Sequence, residues 1–181
     1  MATIHFKARL FKLRYWTIIR LTQNASAKLP SRGQTMVTGT VNGIRFKTPL
    51  EPDGKGGHWF KVDTDLQNTA KVHAGSIATL VIEPTKEWPE PKVPADLQTA
   101  LEADNQASEL WKRTTPMARW EWIRWIRATA QTETRKRRIE VACSKLKSGE
   151  RRPCCWNRNL CTEPTVSKNG VLLDQLQATK I

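Results

Sequence analysis

The residues able to do chemistry are few, and their spacing limits what that chemistry is. The histidines are His5, His58 and His73, and none stands at a metal-pair spacing from an Asp or Glu. No Gly-x-Ser-x-Gly elbow and no phosphate-binding Gly-Lys-Ser/Thr loop occurs. Gly54, Gly56 and Gly57 follow Pro52-Asp53, which is turn chemistry. Cys154, Cys155 and Cys161 lack the two-residue gap that lets one turn offer two thiolates to a tetrahedral ion. Cys143 falls on the inward stripe of a helix and reads as a small buried apolar residue. The chain is therefore expected to have no catalytic residue, no metal site and no cofactor, with its thiols reduced and structural.

Charged and aromatic residues at helical spacing carry more information. Advancing about 100° per residue, Arg135 shares a stripe with Ile139, Ala142 and Leu146, and Asp104 lies between Leu97, Leu101 and Trp111. A bare charge on such a stripe costs several kcal/mol. Arg135 and Asp104 are thus expected to pair with each other or to find backbone carbonyls or amides. The functional alternative makes Arg135 the anion ligand of a cleft. Arg137, Arg138 and Lys145 point outward on the same helix, flanked by Lys136 and Lys147, although Glu133 and Glu140 interrupt the ridge. Trp120 lies opposite its own helix's core stripe, with Arg124 and Arg127 four and seven residues on. Such a Trp can stack on a base, at about 1–3 kcal/mol per base, make an internal cation–π contact, or pack on the barrel. Trp120, Arg124, Arg127, Arg135, Arg137, Arg138 and Lys145 are the candidate contacts for an anion or a nucleic acid.

The elements that must position these residues divide the chain. Ile4, Phe6, Ala8 and Leu10 alternate with polar residues as a half-buried strand does, and the parity shift at Phe11 predicts a bulge or bend. Tyr15–Leu21 is a second strand. Thr35–Val41 and Ile44–Leu50 flank Asn42-Gly43, the pair that a type I′ hairpin turn favours. His58–Val62 and Ser76–Glu83 complete a set that predicts a small barrel over residues 1–83. Four prolines mark residues 84–94 as a linker or extended strap. Helical periodicity then predicts a three-helix module over residues 95–149, with Thr115 as N-cap and Pro116 at the first helical position. Residues 150–181 form a basic, Cys-containing strap or tail. The fold class is α+β.

Several of these segments carry a likeness. Ser31-Arg-Gly33, Val37–Gly43, the Gly54–Phe60 turn and strand, and Val81-Ile-Glu83 resemble a bacterial domain of unknown function. Pro94-Ala-Asp-Leu97, Trp122-Ile-Arg-Trp-Ile126 and Thr134–Ile139 resemble the YdeI/OmpD-associated, or bacteriocin-protection, family. Gly75-Ser76 departs from the Gly-Asp that the first likeness leads one to expect. The resemblance implies a barrel of the double-split kind, a helical module, and a role in stress or antimicrobial-peptide protection. It suggests a homodimer only by analogy with swapped-hairpin relatives.

Net charge narrows the mechanism. With 30 Lys+Arg against 17 Asp+Glu the chain carries +13, and many bacteriocins are cationic, so the two repel at long range. Protection is then expected to act through an anionic partner: nucleic acid, an acidic protein or an anionic lipid surface. No run of about 18 apolar residues marks a transmembrane segment, and no apolar leader opens the chain, so the expected location is cytoplasmic. The leading expectation is a non-enzymatic protein. The rival is a nucleic-acid-binding regulator using the basic third helix, and a third possibility is a small-molecule enzyme or ligand-binding barrel, which needs a pocket that no motif announces.

Overall fold

The computed structural model describes residues 3–153, 162–168 and 171–172, and resolves two compact units. Cys154, Cys155 and Cys161, and with them most of the expected tail, lie outside the described residues.

The first unit is a closed six-stranded barrel. Its strands are β1 (Ile4–Leu13), β2 (Trp16–Arg20), β3 (Thr35–Val41), β4 (Ile44–Pro52), β5 (His58–Lys61) and β6 (Ile77–Pro84), in the order β1-β2-β5-β4-β3-β6. The ring closes because β1 and β4 each change partner along their length, β1 from β6 to β2 and β4 from β3 to β5. Two short helices, α1 (Gln23–Ala27) and α2 (Thr64–Thr69), fill connections that the sequence pattern had not marked as helical. Alternation along the strands sends Ile4, Leu10, Ile19, Val37, Val41, Leu50, Phe60, Leu80 and Ile82 into one core, each at most 1% exposed. Phe46 stacks on Phe60 beside it, with ring centroids 5.2 Å apart.

The expected bend at Phe11 has a topological cause. β1 pairs with β6 as far as Arg9 and with β2 from Leu10 onward. After that change of partner, Phe11 and Leu13 join a separate cluster with Ile18 and Trp59, and Val166 packs into it, fully buried. Asn42 and Gly43 hold φ of +48° and +85°, the left-handed pair that the β3–β4 turn requires. Gly39 is a different case. A Cβ there would lie 2.0 Å from the Val81 carbonyl oxygen, so only glycine lets β3 approach β6 this closely.

The second unit is helical: α3 (Ala95–Glu102), α4 (Asn105–Arg113), α5 (Pro116–Arg127) and α6 (Thr132–Lys147). The three expected helices are thus four. Asp104 splits the first, because its carboxylate accepts from the Ala107 amide at 3.0 Å and caps α4. A side chain that periodicity had placed on a core stripe is in fact a helix terminus. Thr115 caps α5 and Pro116 opens it, as the spacing predicts. Leu97, Trp111, Trp122, Ile126, Ala142 and Leu146 form the unit's core. The proline-rich stretch has two fates. Pro84 ends β6 and Thr85 donates to Met36 in the barrel, whereas Trp88–Pro94 belongs to the helical unit.

Candidate functional site

The seven candidate side chains of the helical unit fall into very different environments. Arg135 forks onto Asp96, with Nε–Oδ2 at 2.6 Å and Nη2–Oδ1 at 2.9 Å. Asp104 is paired with Lys147 at 2.7 Å. The direct Arg135–Asp104 pair is therefore corrected, since each charge has a different ionic partner; the other expectation, a backbone amide, holds for Asp104, which the Ala107 amide fixes at the start of α4. The Arg135 guanidinium draws the Asp96 carboxyl below its ordinary range, and Lys147 does the same to Asp104.

Arginines close several helix ends. Arg138 donates to the Trp125 carbonyl at 2.6 Å and lies 5.3 Å from the Trp125 ring centroid. Arg119, which the sequence pattern did not single out, donates to the carbonyls of Trp111, Lys112 and Thr114 at the end of α4 and pairs with Glu90. The last turn of a helix leaves carbonyls unsatisfied and carries partial negative charge, so a planar multi-donor cation suits it. In the barrel unit Arg32 does the same for α1, donating to Ser26 and Ala27.

The other candidates are also committed. Arg124 is only 5% exposed. Arg127 pairs with Glu163 at 3.0 Å, and Lys145 with Glu150 at 2.9 Å. Trp120 donates from its indole N–H to the Pro89 carbonyl at 2.8 Å and leans on Trp88. Arg137, with its neighbour Lys136, is left exposed on α6 beside Glu133 and Glu140.

The barrel carries what the sequence reading missed. Inward Ile4, Ala8 and Leu10 put His5, Lys7 and Arg9 on the outer face of β1. Register then aligns that face across three more strands. His5 faces Val81, Val81 faces Thr40, and Thr40 faces Arg45. In the next row Glu83 faces Thr38, and Thr38 faces Lys47. Lys7, Arg9, Arg45 and Lys47 are all exposed. A groove of about 670 Å³ runs over this face, lined by Thr38, Gly39, Thr40, Arg45, Lys47 and Glu83, with Phe46 and Val81. Alternation in β1 made its outward cations legible, but only cross-strand register, which no local pattern encodes, sets Arg45 and Lys47 in rows with Val81 and Glu83, with two strands between them and Lys7 and Arg9.

A second barrel feature is buried. His58 is fully buried, and its Nε2 lies 3.1 Å from the Gly33 carbonyl. A carbonyl only accepts, so Nε2 carries the proton and Nδ1 is a bare acceptor, without a partner among the described residues. Burial pushes the His58 pKa below 6.5 despite the nearby Asp53 carboxylate. Asp53 itself accepts from the Lys55 and Gly57 amides, each at 2.8 Å, and lies 3.8 Å from Arg20. This cluster reads as a clasp on the β4–β5 loop.

Residues 90–149 match the family described as Bacteriocin-protection, YdeI or OmpD-Associated. The helical unit is a YdeI/OmpD-associated domain. Residues 6–82 match a domain of unknown function, DUF1905, so the barrel belongs to that type. No curated protein matches the chain. The segments that carry both likenesses are joined by clasps. In the YdeI/OmpD-associated domain, Arg135 of segment 134–139 grips Asp96 of segment 94–97. In the DUF1905 barrel, His58 of segment 54–60 grips Gly33 of segment 31–33. Among the described residues, no group of three or more His, Cys, Asp or Glu is placed to hold a metal ion, and no helix is long and apolar enough to cross a membrane.

Proposed function

We propose that this YdeI/OmpD-associated protein is a non-enzymatic binding protein that contributes to bacteriocin or stress protection by engaging a phosphate-bearing partner. The observation that carries the reading is the outer barrel face, where Arg45 and Lys47 line one groove with a single lining carboxylate, Glu83, while Lys7 and Arg9 add exposed positive charge on β1, with two strands between. Exposed cations grouped on one face raise the local concentration of anions and speed encounter, whereas scattered charges only aid solubility. The reading also accommodates the +13 net charge, which disfavours direct capture of a cationic peptide.

Binding of the full chain to labelled RNA, to a DNA duplex and to phosphatidylglycerol vesicles, each across a salt series, tests it. Affinity for at least one is expected to fall steeply with salt, with a slope of about −0.9 per neutralised duplex phosphate and about −0.7 per single-strand phosphate. Absence of binding to all three at low salt, and to small phosphate esters as well, rules the reading out. A second reading keeps nucleic acid as partner but places contact on α6, and is favoured by the exposure of Lys136 and Arg137. Replacing those two by Gln weakens duplex binding only if that second reading holds.

A further inference from the structure

We infer that the groove on the outer face of β3, β4 and β6 is a binding site for a small phosphorylated and hydroxylated molecule, with a sugar monophosphate as its chemical class. This deepens the phosphate-binding reading above and rests on it.

The lining divides by strand. β4 supplies Arg45 and Lys47 as one wall, β6 supplies Val81 and Glu83 as the other, and β3 forms the floor with Thr38, Gly39 and Thr40. Each floor threonine lies in register with a cation, Thr38 with Lys47 and Thr40 with Arg45. A guanidinium fork, an ammonium and two hydroxyls are the donor set that a tetrahedral phosphate accepts from. Arg45 has no hydrogen-bond or ion-pair partner among the described residues. Lys47 makes a 3.4 Å contact with Glu87, whose side chain is 84% exposed, so a phosphate can displace that partner at little cost.

The opposite wall sets the selectivity. β4 and β6 flank β3 at about 4.8 Å each, so the cations and Glu83 stand about 10 Å apart at the backbone. A carboxylate at that position accepts from hydroxyls and repels a second negative charge. It thus favours one phosphate with a hydroxyl-bearing body over a polyphosphate or a strand of many phosphates. The groove's volume of about 670 Å³ is within the range of small-ligand sites. The surface lacks the exposed aromatic platform that single-stranded nucleic acid uses, since Phe46 is stacked on Phe60 in the barrel.

Calorimetric titration of the full chain with ribose 5-phosphate is the test, with inorganic pyrophosphate and unphosphorylated ribose run beside it. Saturable one-to-one binding of ribose 5-phosphate is expected in the millimolar range or tighter, with ribose alone not binding. Arg45→Gln with Lys47→Gln is expected to weaken it by about tenfold or more. Glu83→Gln is expected to shift preference toward pyrophosphate. Thr38→Val with Thr40→Val, which keeps side-chain shape, should weaken binding and stands in if the charge variants do not fold. No saturable binding, or binding unchanged in the folded variants, overturns the site. If RNA, duplex or vesicles still bind while ribose 5-phosphate does not, only the groove assignment falls; if nothing binds, the broader reading falls with it.

Discussion

At the scale of single residues, a charged side chain's neighbours decide its use. His58 gives the clearest consequence. Its pKa is lowered in the fold, so the folded chain binds fewer protons than the unfolded one as pH falls below 6.5. The sign follows: barrel stability is undiminished above about pH 6.5 and declines as pH drops from there toward the folded value. Urea unfolding between about pH 7.5 and 5 should show that loss, and His58→Gln should remove much of the slope. A slope identical in the variant would assign it to other groups. The Arg135–Asp96 fork makes a second, smaller prediction. Their side chains are 26% and 45% exposed, so a double-mutant cycle with Arg135→Gln and Asp96→Asn should return a coupling of about 0.5–1 kcal/mol. A coupling near zero would mean that α3 and α6 are held by their apolar faces alone.

Whole elements depend on how the backbone's terminal groups are satisfied. Arg119 donates to three carbonyls at the end of α4, and Arg119→Ala should destabilise the helical unit by about 1.5–3 kcal/mol in chemical denaturation. A change below about 0.5 kcal/mol would show that solvent caps that helix equally well. Gly39→Ala should cost the barrel more than about 2 kcal/mol, because the added Cβ meets backbone rather than a side chain that can turn away. Period-2 and period-3.6 patterns made the strands and most helices legible, and Asn42-Gly43 and Thr115-Pro116 marked their boundaries correctly. The patterns failed where a polar residue serves two roles. Asp104 matches the apolar stripe in phase, yet its short carboxylate reaches a backbone amide, so the helix ends there. Outward arginines on α6 looked like a ligand face because periodicity reports direction and not partners. Arg138 reaches back to the Trp125 carbonyl, a contact between helices that sequence spacing does not contain.

Across the whole molecule, positive charge is spent in two ways. Much of it in the helical unit closes helix ends or pairs with carboxylates, as Arg119, Arg127, Arg135 and Arg138 do. On the barrel's outer face, Arg45 and Lys47 of β4, and Lys7 and Arg9 of β1 with two strands between, point outward and stay exposed. The central claim is that this face, rather than α6, meets the partner. The most direct measurement is the salt dependence of binding by the full chain to whichever phosphate-bearing probe it retains. Three forms are compared: wild type, Lys7→Gln with Arg9→Gln and Arg45→Gln, and Lys136→Gln with Arg137→Gln. The barrel-face substitutions are predicted to flatten the slope of log affinity against log salt by about two units or more, leaving the α6 variant close to wild type. Flattening by the α6 substitutions, with the barrel-face variant unchanged, would contradict the account.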